Sequence, residues 1–235
     1  MWLFYCPDIQ TDMELPQEEA GHCIRVLRMK EGDRLRLTDG KGCFYDVVIS
    51  AVSGKRCMVH VDKSEAQAPL WKGYLHIAVA PTKLMDRNEW LVEKAVEIGV
   101  DEITFLKTDH SERDVIKMER IEKIAVAAMK QSQKATLPVL KGMTPLRSFI
   151  DRGFDGDKFI AHCEPGSKVL LQDAVVPGNN SLVLIGPEGD FSPAEIEMAL
   201  KAGFKPISLG PSRLRTETAA LVAVHIMNLA GQIKE

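Results

Sequence analysis

Leu184-Ile185-Gly186-Pro187-Glu188-Gly189-Asp190-Phe191-Ser192 and Leu209-Gly210-Pro211-Ser212-Arg213-Leu214-Arg215-Thr216-Glu217-Thr218 decide how this chain is read. Each begins at the end of an apolar, strand-like run and leads into a helix. That places two tight turns at strand C-termini, where open α/β sheets bind ligands. The second turn carries two arginines, a threonine pair and a glutamate into the almost wholly apolar segment Ala219–Val224. Polar residues set so closely against a buried segment point to a site rather than a solvated surface.

Working outward, residues from 74 on alternate strands with helices. Strands are expected at Tyr74–Ala80, Glu102–Leu106, Lys158–Ala161, Ser181–Ile185 and Pro206–Leu209, and helices at Asp86–Ile98, Lys117–Gln133, Pro145–Arg152, Pro193–Ala202 and Thr216–Ile233. Such alternation argues for a mostly parallel α/β sheet. Ser192-Pro193 with Glu195 three residues after the serine predicts a capping box with proline at the first helical position. Ala202-Gly203 reads as a helix stop. Residues 1–68 read instead as short strands, beginning with Met1–Cys6 and continuing with Arg34–Thr38, Phe44–Ile49 and Arg56–Val61, with one helix at Gln17–Leu27. Closely spaced short strands predict a small β-barrel. Glu65-Ala66-Gln67-Ala68-Pro69 reads as the start of a linker, with 69–73 joining the two domains.

Composition narrows the function classes. The net charge is −3, and it divides evenly: 9 Lys+Arg against 11 Asp+Glu in residues 1–70, and 21 against 22 in the rest. A nucleic-acid footprint must therefore be a local patch. The five cysteines are odd in number and lack C-x-x-C spacing, which predicts reduced thiols, a cytoplasmic setting and no metal. No segment is long and apolar enough to predict a membrane span. Neither G-x-x-x-x-G-K-[ST] nor G-x-G-x-x-G occurs, which counts against an unrelated α/β enzyme of nucleotides or phosphate esters.

The paired loops, 24 residues apart from Gly186 to Gly210, resemble the signature of the RsmE-type 16S ribosomal RNA (uracil-N3)-methyltransferases of the SPOUT superfamily. Further matches run in order along the chain. His22–Arg28, Gly32-Asp33 and Asp39-Gly40 look like that family's PUA-like N-terminal domain. Asp86-Arg87, Glu89-Trp90, Lys94 and Glu97–Val100 look like the first helix of its catalytic domain, and Ser111-Glu112-Arg113 and Gln131-Ser132 fit as well. The chain departs from the family where Asp190 stands in place of the usual glycine. It departs again where Ser212 follows Leu-Gly-Pro, with Arg213 one position later.

The resemblance implies a SPOUT-type trefoil-knotted α/β domain preceded by a small PUA-like β-barrel. It implies a homodimer that binds S-adenosyl-L-methionine and methylates N3 of one uridine of 16S rRNA within the 30S subunit. Leu184, Ile185, Gly186, Pro187, Glu188, Gly189, Leu209, Gly210, Leu214, Thr216 and Thr218 would then form the cofactor site, with His162 beside it. Arg215 is the first catalytic candidate, because loss of the N3 proton leaves negative charge that a guanidinium can hold. Glu217 would orient Arg215 or act as a base, against a plain reading as a carboxylate favoured at a helix N-terminus. Arg25, Arg28, Arg34, Arg36, Arg87 and Arg113 are the candidate RNA contacts. The competing reading is a non-catalytic RNA-binding assembly factor with the same fold.

Overall fold

The computed structural model describes residues 2–232. Met1 of the expected opening strand and Ile233, the expected end of the closing helix, lie outside them. Contacts divide the chain into two compact units. One holds the residues up to Ala68 together with Val126–Leu137; the other holds Pro69–Ala125 and the residues from Pro138 on. The segment 126–137, read from sequence as part of the second domain, packs with the first because Ala135 is bound on all sides. Its carbonyl accepts from Thr38 Oγ1 (3.0 Å) and the Gly42 amide (3.0 Å), and its amide donates to Gln67 Oε1 (2.8 Å).

The first unit is built on β1 (Leu3–Tyr5), α1 (Gln17–Gly21), β2 (Arg34–Thr38), β3 (Cys43–Ser53) and β4 (Arg56–Ala66). The four strands form one sheet in chain order, β1 parallel to β2 and the other pairs antiparallel. In β2 the alternation Arg34-Leu35-Arg36-Leu37 puts both leucines in the core and both arginines outside. The expected helix at Gln17–Leu27 continues past α1 as a π-helical turn, His22–Val26, and the chain turns away at Arg28, whose φ is +56°. β3 and β4 are longer than their apolar patterns. The polar end of β4, Asp62-Lys63-Ser64-Glu65, is largely exposed and shows no alternation, yet it pairs with the start of β3. The expected linker at Glu65-Ala66 is therefore strand.

The second unit contains β5 (Leu75–Val79), α2 (Met85–Ile98), β6 (Glu102–Lys107), α3 (Met118–Gln131, whose last turns fall in the first unit), β7 (Val139–Pro145) and α4 (Leu146–Asp151). It continues through β8 (Asp157–Ala161), β9 (Val169–Leu170), α5 (Leu171–Ala174), β10 (Ser181–Ile185), α6 (Pro193–Lys201), β11 (Lys205–Ser208) and α7 (Thr216–Gly231). All seven strands are parallel, in the order β7-β6-β5-β10-β8-β11-β9. β5 and β10, at the centre, are buried at every position, as continuous apolar runs in a doubly covered sheet should be. α4 and α6 share a core with Leu182 and Leu184 of β10. α7 packs on α2, β5 and β10.

The five expected strands are present, each within a residue of its expected ends. Two edge strands escaped the sequence reading. β7 is interrupted by Lys141, Gly142 and Pro145, and β9 is two residues long. Edges are kept short or broken in this way because they have no second neighbour to satisfy. Ser192 and Glu195 form the predicted capping box at the start of α6.

His76 of β5 lies in the core against Phe149, ring centroids 5.5 Å apart, with Nε2 2.9 Å from Thr104 Oγ1. Burial pushes its imidazole down to about 4, against the opposing pull of Glu102. The unfolded chain therefore binds this proton near pH 6.5 and the folded chain only near 4. Stability from a neutral His76 is complete above about 6.5 and is lost as pH falls toward 4, by about 3 kcal/mol. Urea midpoints measured across this window should fall with pH, and His76→Gln should flatten that fall.

Candidate active site

Three loops follow the adjacent strands β8, β10 and β11 and meet at their C-terminal ends. They enclose a cavity of about 590 Å³, lined from the first loop by His162, Cys163 and Lys168, from the second by Gly186, Pro187, Glu188 and Asp190, and from the third by Leu209 through Thr216. Ile185, Ile207 and Ala219 supply apolar wall. The cavity is of the size that holds a small ligand.

The loops are bonded to one another. Thr216 Oγ1, buried at the start of α7, donates to the Gly186 carbonyl at 3.1 Å and so fastens the third loop to the second. The Pro187–Asp190 turn closes with the Asp190 amide on the Pro187 carbonyl (3.0 Å). The Cys163 amide donates to Asp190 Oδ2 at 2.6 Å, joining the first loop to the second. In the third loop Gly210 has φ +123°, a conformation that side chains rarely adopt, and no atom lies within 4 Å of where a Cβ would sit.

Most sequence candidates converge here: Ile185, Gly186, Pro187, Glu188, Leu209, Gly210, Leu214, Arg215, Thr216 and His162 all line the cavity. Others do not. Leu184 faces the α4–α6 core, because alternation along β10 turns it away from its neighbour Ile185. Gly189 packs under His110, whose Cβ is 3.1 Å from the position its own Cβ would take. Thr218 lies outside the lining, two residues and about 200° around α7 from Thr216, whereas Ala219 returns to the same face. Glu217 is also outside it. Glu217 is buried, and its Oε1 lies 3.6 Å from Nε of Arg87 on α2, not against Arg215. Its Oε2 has no partner.

Arg215 is exposed at the cavity, at the residue before α7, and makes no ion pair among the described residues. Glu188 lines the cavity while its carboxylate reaches back to accept from the Lys83 amide at 3.0 Å. His162 is half-buried with Nδ1 unpartnered. Burial, helped by the charge of Lys168, pushes its imidazole below the usual histidine value, which favours the neutral ring. The cations Lys168 and Arg213, beside Arg215, were missed in the sequence as cavity residues. A lysine in a short polar loop carries no pattern, and Arg213 is one position off the family's arginine.

The RNA candidates separate in the same way. Arg113 donates to the carbonyls of Thr82 and Lys83, bracing the loop before α2. Arg87 is taken up by Glu217. Arg36 sits 4.4 Å over the Phe44 ring and near Asp46 and Glu65. Arg25, Arg28 and Arg34 are exposed on the first unit.

The RNA methyltransferase domain family matches residues 69–228, and the RNA methyltransferase PUA domain family matches residues 15–62. The structure of a probable rRNA-methyltransferase from Porphyromonas gingivalis is 49% identical, with a TM-score of 0.94 over 98% of both chains. Ribosomal RNA small subunit methyltransferase E from Neisseria gonorrhoeae, bound to S-adenosyl methionine, is 26% identical, with a TM-score of 0.86 over 97% of both chains. The protein of that name from Buchnera aphidicola is 29% identical over 92% of this chain and 89% of its own length. The chain therefore belongs to the RNA methyltransferase family and is of the RsmE type.

The Arg87–Glu217 pair ties α2 to the start of α7 directly behind Thr216. Arg87→Ala should destabilise the protein by about 2 kcal/mol, because it leaves Glu217 buried without its partner. Adding Glu217→Gln should recover most of that loss in chemical denaturation. A double variant no more stable than Arg87→Ala would show that the pair is incidental.

Proposed function

We propose that this member of the RNA methyltransferase family transfers a methyl group from S-adenosyl-L-methionine to N3 of a uridine in the 16S rRNA of the small ribosomal subunit. The observation that carries this reading is the closure of three strand-end loops on one cavity beside Gly210. There the backbone leaves open the space that any side chain would fill. The Neisseria relative, of the same fold, is bound to S-adenosyl methionine.

The residues present fit that cofactor. Apolar walls from Ile185, Ile207 and Leu214 suit a flat base, and at Gly210, whose amide and carbonyl are both bonded to Ser208 Oγ, the missing side chain lets a ligand approach the backbone closely. When bound, the cofactor supplies an electrophilic methyl group on a sulfonium sulfur. Thr216 holds the two glycine loops together. His162, neutral and with a free ring nitrogen, is placed to hydrogen-bond a ligand. At the acceptor, loss of the N3 proton to water leaves negative charge shared by N3 and the ring oxygens; that charge is spent as N3 takes the methyl group, whose bond to sulfur would break to leave a neutral thioether. Arg215, unpaired and at the mouth, holds that charge. Glu217 is assigned to Arg87 and to the start of α7 rather than to the proton.

Arg25, Arg28 and Arg34 are the phosphate contacts in this reading. The base must leave its stack to present N3, since pairing occupies that edge. The trefoil knot is supported by strand order: β11 lies between β8 and β9, within the loop the chain draws from β8 through β9 to β10. The PUA-like barrel is supported by the irregularities at Asp46/Val47 and Ile49/Ala51, which bend β3 around its neighbours. The homodimer is supported by the outer face of α7, where Leu221, Val222, Ile226 and Leu229 form a partly exposed apolar stripe. A cytoplasmic setting follows from a ribosomal substrate.

Gly210→Ala should fold normally but bind S-adenosyl-L-methionine at least about tenfold more weakly in titration calorimetry, since the new methyl fills the cradle and strains the turn. Arg215→Ala should bind the cofactor with near wild-type affinity yet lower single-turnover methylation of 30S subunits by about 100-fold. Methylation at the wild-type rate would remove Arg215 from the chemistry. A wild-type protein that binds RNA but transfers no methyl group would be an assembly factor.

A further inference from the structure

Among the described residues, Asp190 is the one with a side chain in the cavity wall whose φ is positive. Its φ is +63°, in the left-handed region that a residue with a side chain enters at a cost. The turn from Pro187 delivers the chain into that conformation, and glycine would meet the steric demand better. The carboxylate offers something that glycine lacks. Oδ1 accepts from the following amide, Phe191 (2.8 Å), which fixes the side-chain direction. Oδ2, so aimed, accepts from the Cys163 amide at 2.6 Å across the cavity mouth. The backbone on the other side is held too, with His110 Nδ1 donating to the Asp190 carbonyl at 3.0 Å.

The loop that Asp190 reaches has little else to steady it. Residues 163–167 are exposed, and Lys168 Nζ turns back onto the loop's own Glu164 carbonyl. Yet this loop supplies His162, Cys163 and Lys168 to the cavity. We propose that Asp190 is a positioning residue that latches the 162–168 loop over the cofactor cavity through the Cys163 amide. The inference rests on the methyltransferase reading of that cavity and adds a residue to it. A hydrogen bond between a carboxylate and a backbone amide is among the stronger ones available. Its loss should free the loop without unfolding the sheet beneath.

Two substitutions separate the latch from the turn. Asp190→Gly keeps the left-handed backbone, relieves its cost and removes both oxygens. Asp190→Asn tolerates the same backbone but has one acceptor oxygen for the Phe191 and Cys163 amides, so it keeps only one of the two bonds at a time. In Asp190→Gly, KM for S-adenosyl-L-methionine should rise about tenfold or more while KM for 30S subunits stays within about twofold. The thermal midpoint should be unchanged or higher. Asp190→Asn should fall between the wild type and Asp190→Gly in cofactor affinity. Hydrogen exchange at the Cys163 amide, measured without cofactor, should be slow in the wild type, intermediate in Asp190→Asn and fast in Asp190→Gly. A wild-type KM for the cofactor in Asp190→Gly, or an equally protected Cys163 amide, would overturn the inference. A wild-type protein that binds no S-adenosyl-L-methionine would instead sink the reading of the cavity, and Cys163 exchange would still report on the latch.

Discussion

A single buried hydroxyl holds the centre of the site. Thr216 Oγ1 donates to the carbonyl of Gly186, and with that bond the loop after β11 lies against the loop after β10. Each loop also carries a steric constraint of its own. The Gly186 Cβ position lies 3.1 Å from Phe191, and the Gly210 backbone occupies a region closed to most side chains. Glycine at 186 lets the loop after β10 fold tightly onto its own Phe191, and the open space beside Gly210 is what remains for a ligand. Everything nearby serves to keep the start of α7 in place. Arg87 reaches from α2 to Glu217, and α7 buries Ala220, Ala223, Val224 and Met227.

The cavity can therefore be described as two rigid walls and one lighter one. The walls after β10 and β11 are joined through buried groups, and α6 behind them is fixed by the reciprocal bonds of Ser192 and Glu195. Glu195 also accepts from the Asp109 amide, which brings the loop after β6 onto the same wall. The wall after β8 is polar, exposed and fastened to Asp190. Enzymes that must admit and release a ligand commonly place their least stable segment at the mouth. A lighter wall beside two fixed ones is consistent with that pattern.

Much of this was legible in the sequence because the determining residues act locally. The apolar runs of β5 and β10 are buried on both faces and read as strands directly. Ser192, Pro193 and Glu195 announce their helix by spacing alone. The two glycine loops mark the site because a tight turn at a strand end needs such residues. What escaped depends on tertiary partners. β7 and β9 are edge strands whose pairing, not pattern, makes them strands. Glu217 looked like a companion of Arg215, two residues away, but its partner comes from α2, 130 residues earlier. Arg113 and Arg36 carry charge suited to RNA, and the fold spends it on carbonyls and neighbouring side chains. Asp190 was visible only as a departure from the family's glycine, and its bond to Cys163 needs two loops brought together in space.

The proposed reaction is transfer of a methyl group from this cavity to a uridine of the small-subunit rRNA. The most direct measurement incubates the protein with methyl-labelled S-adenosyl-L-methionine and 30S subunits that lack the modification, then digests the rRNA to nucleosides. Label is expected in 3-methyluridine at one site of 16S rRNA, with none in ribose 2′-O-methylated nucleosides. Label in any other nucleoside would contradict it, as would no incorporation by a protein that binds the cofactor saturably.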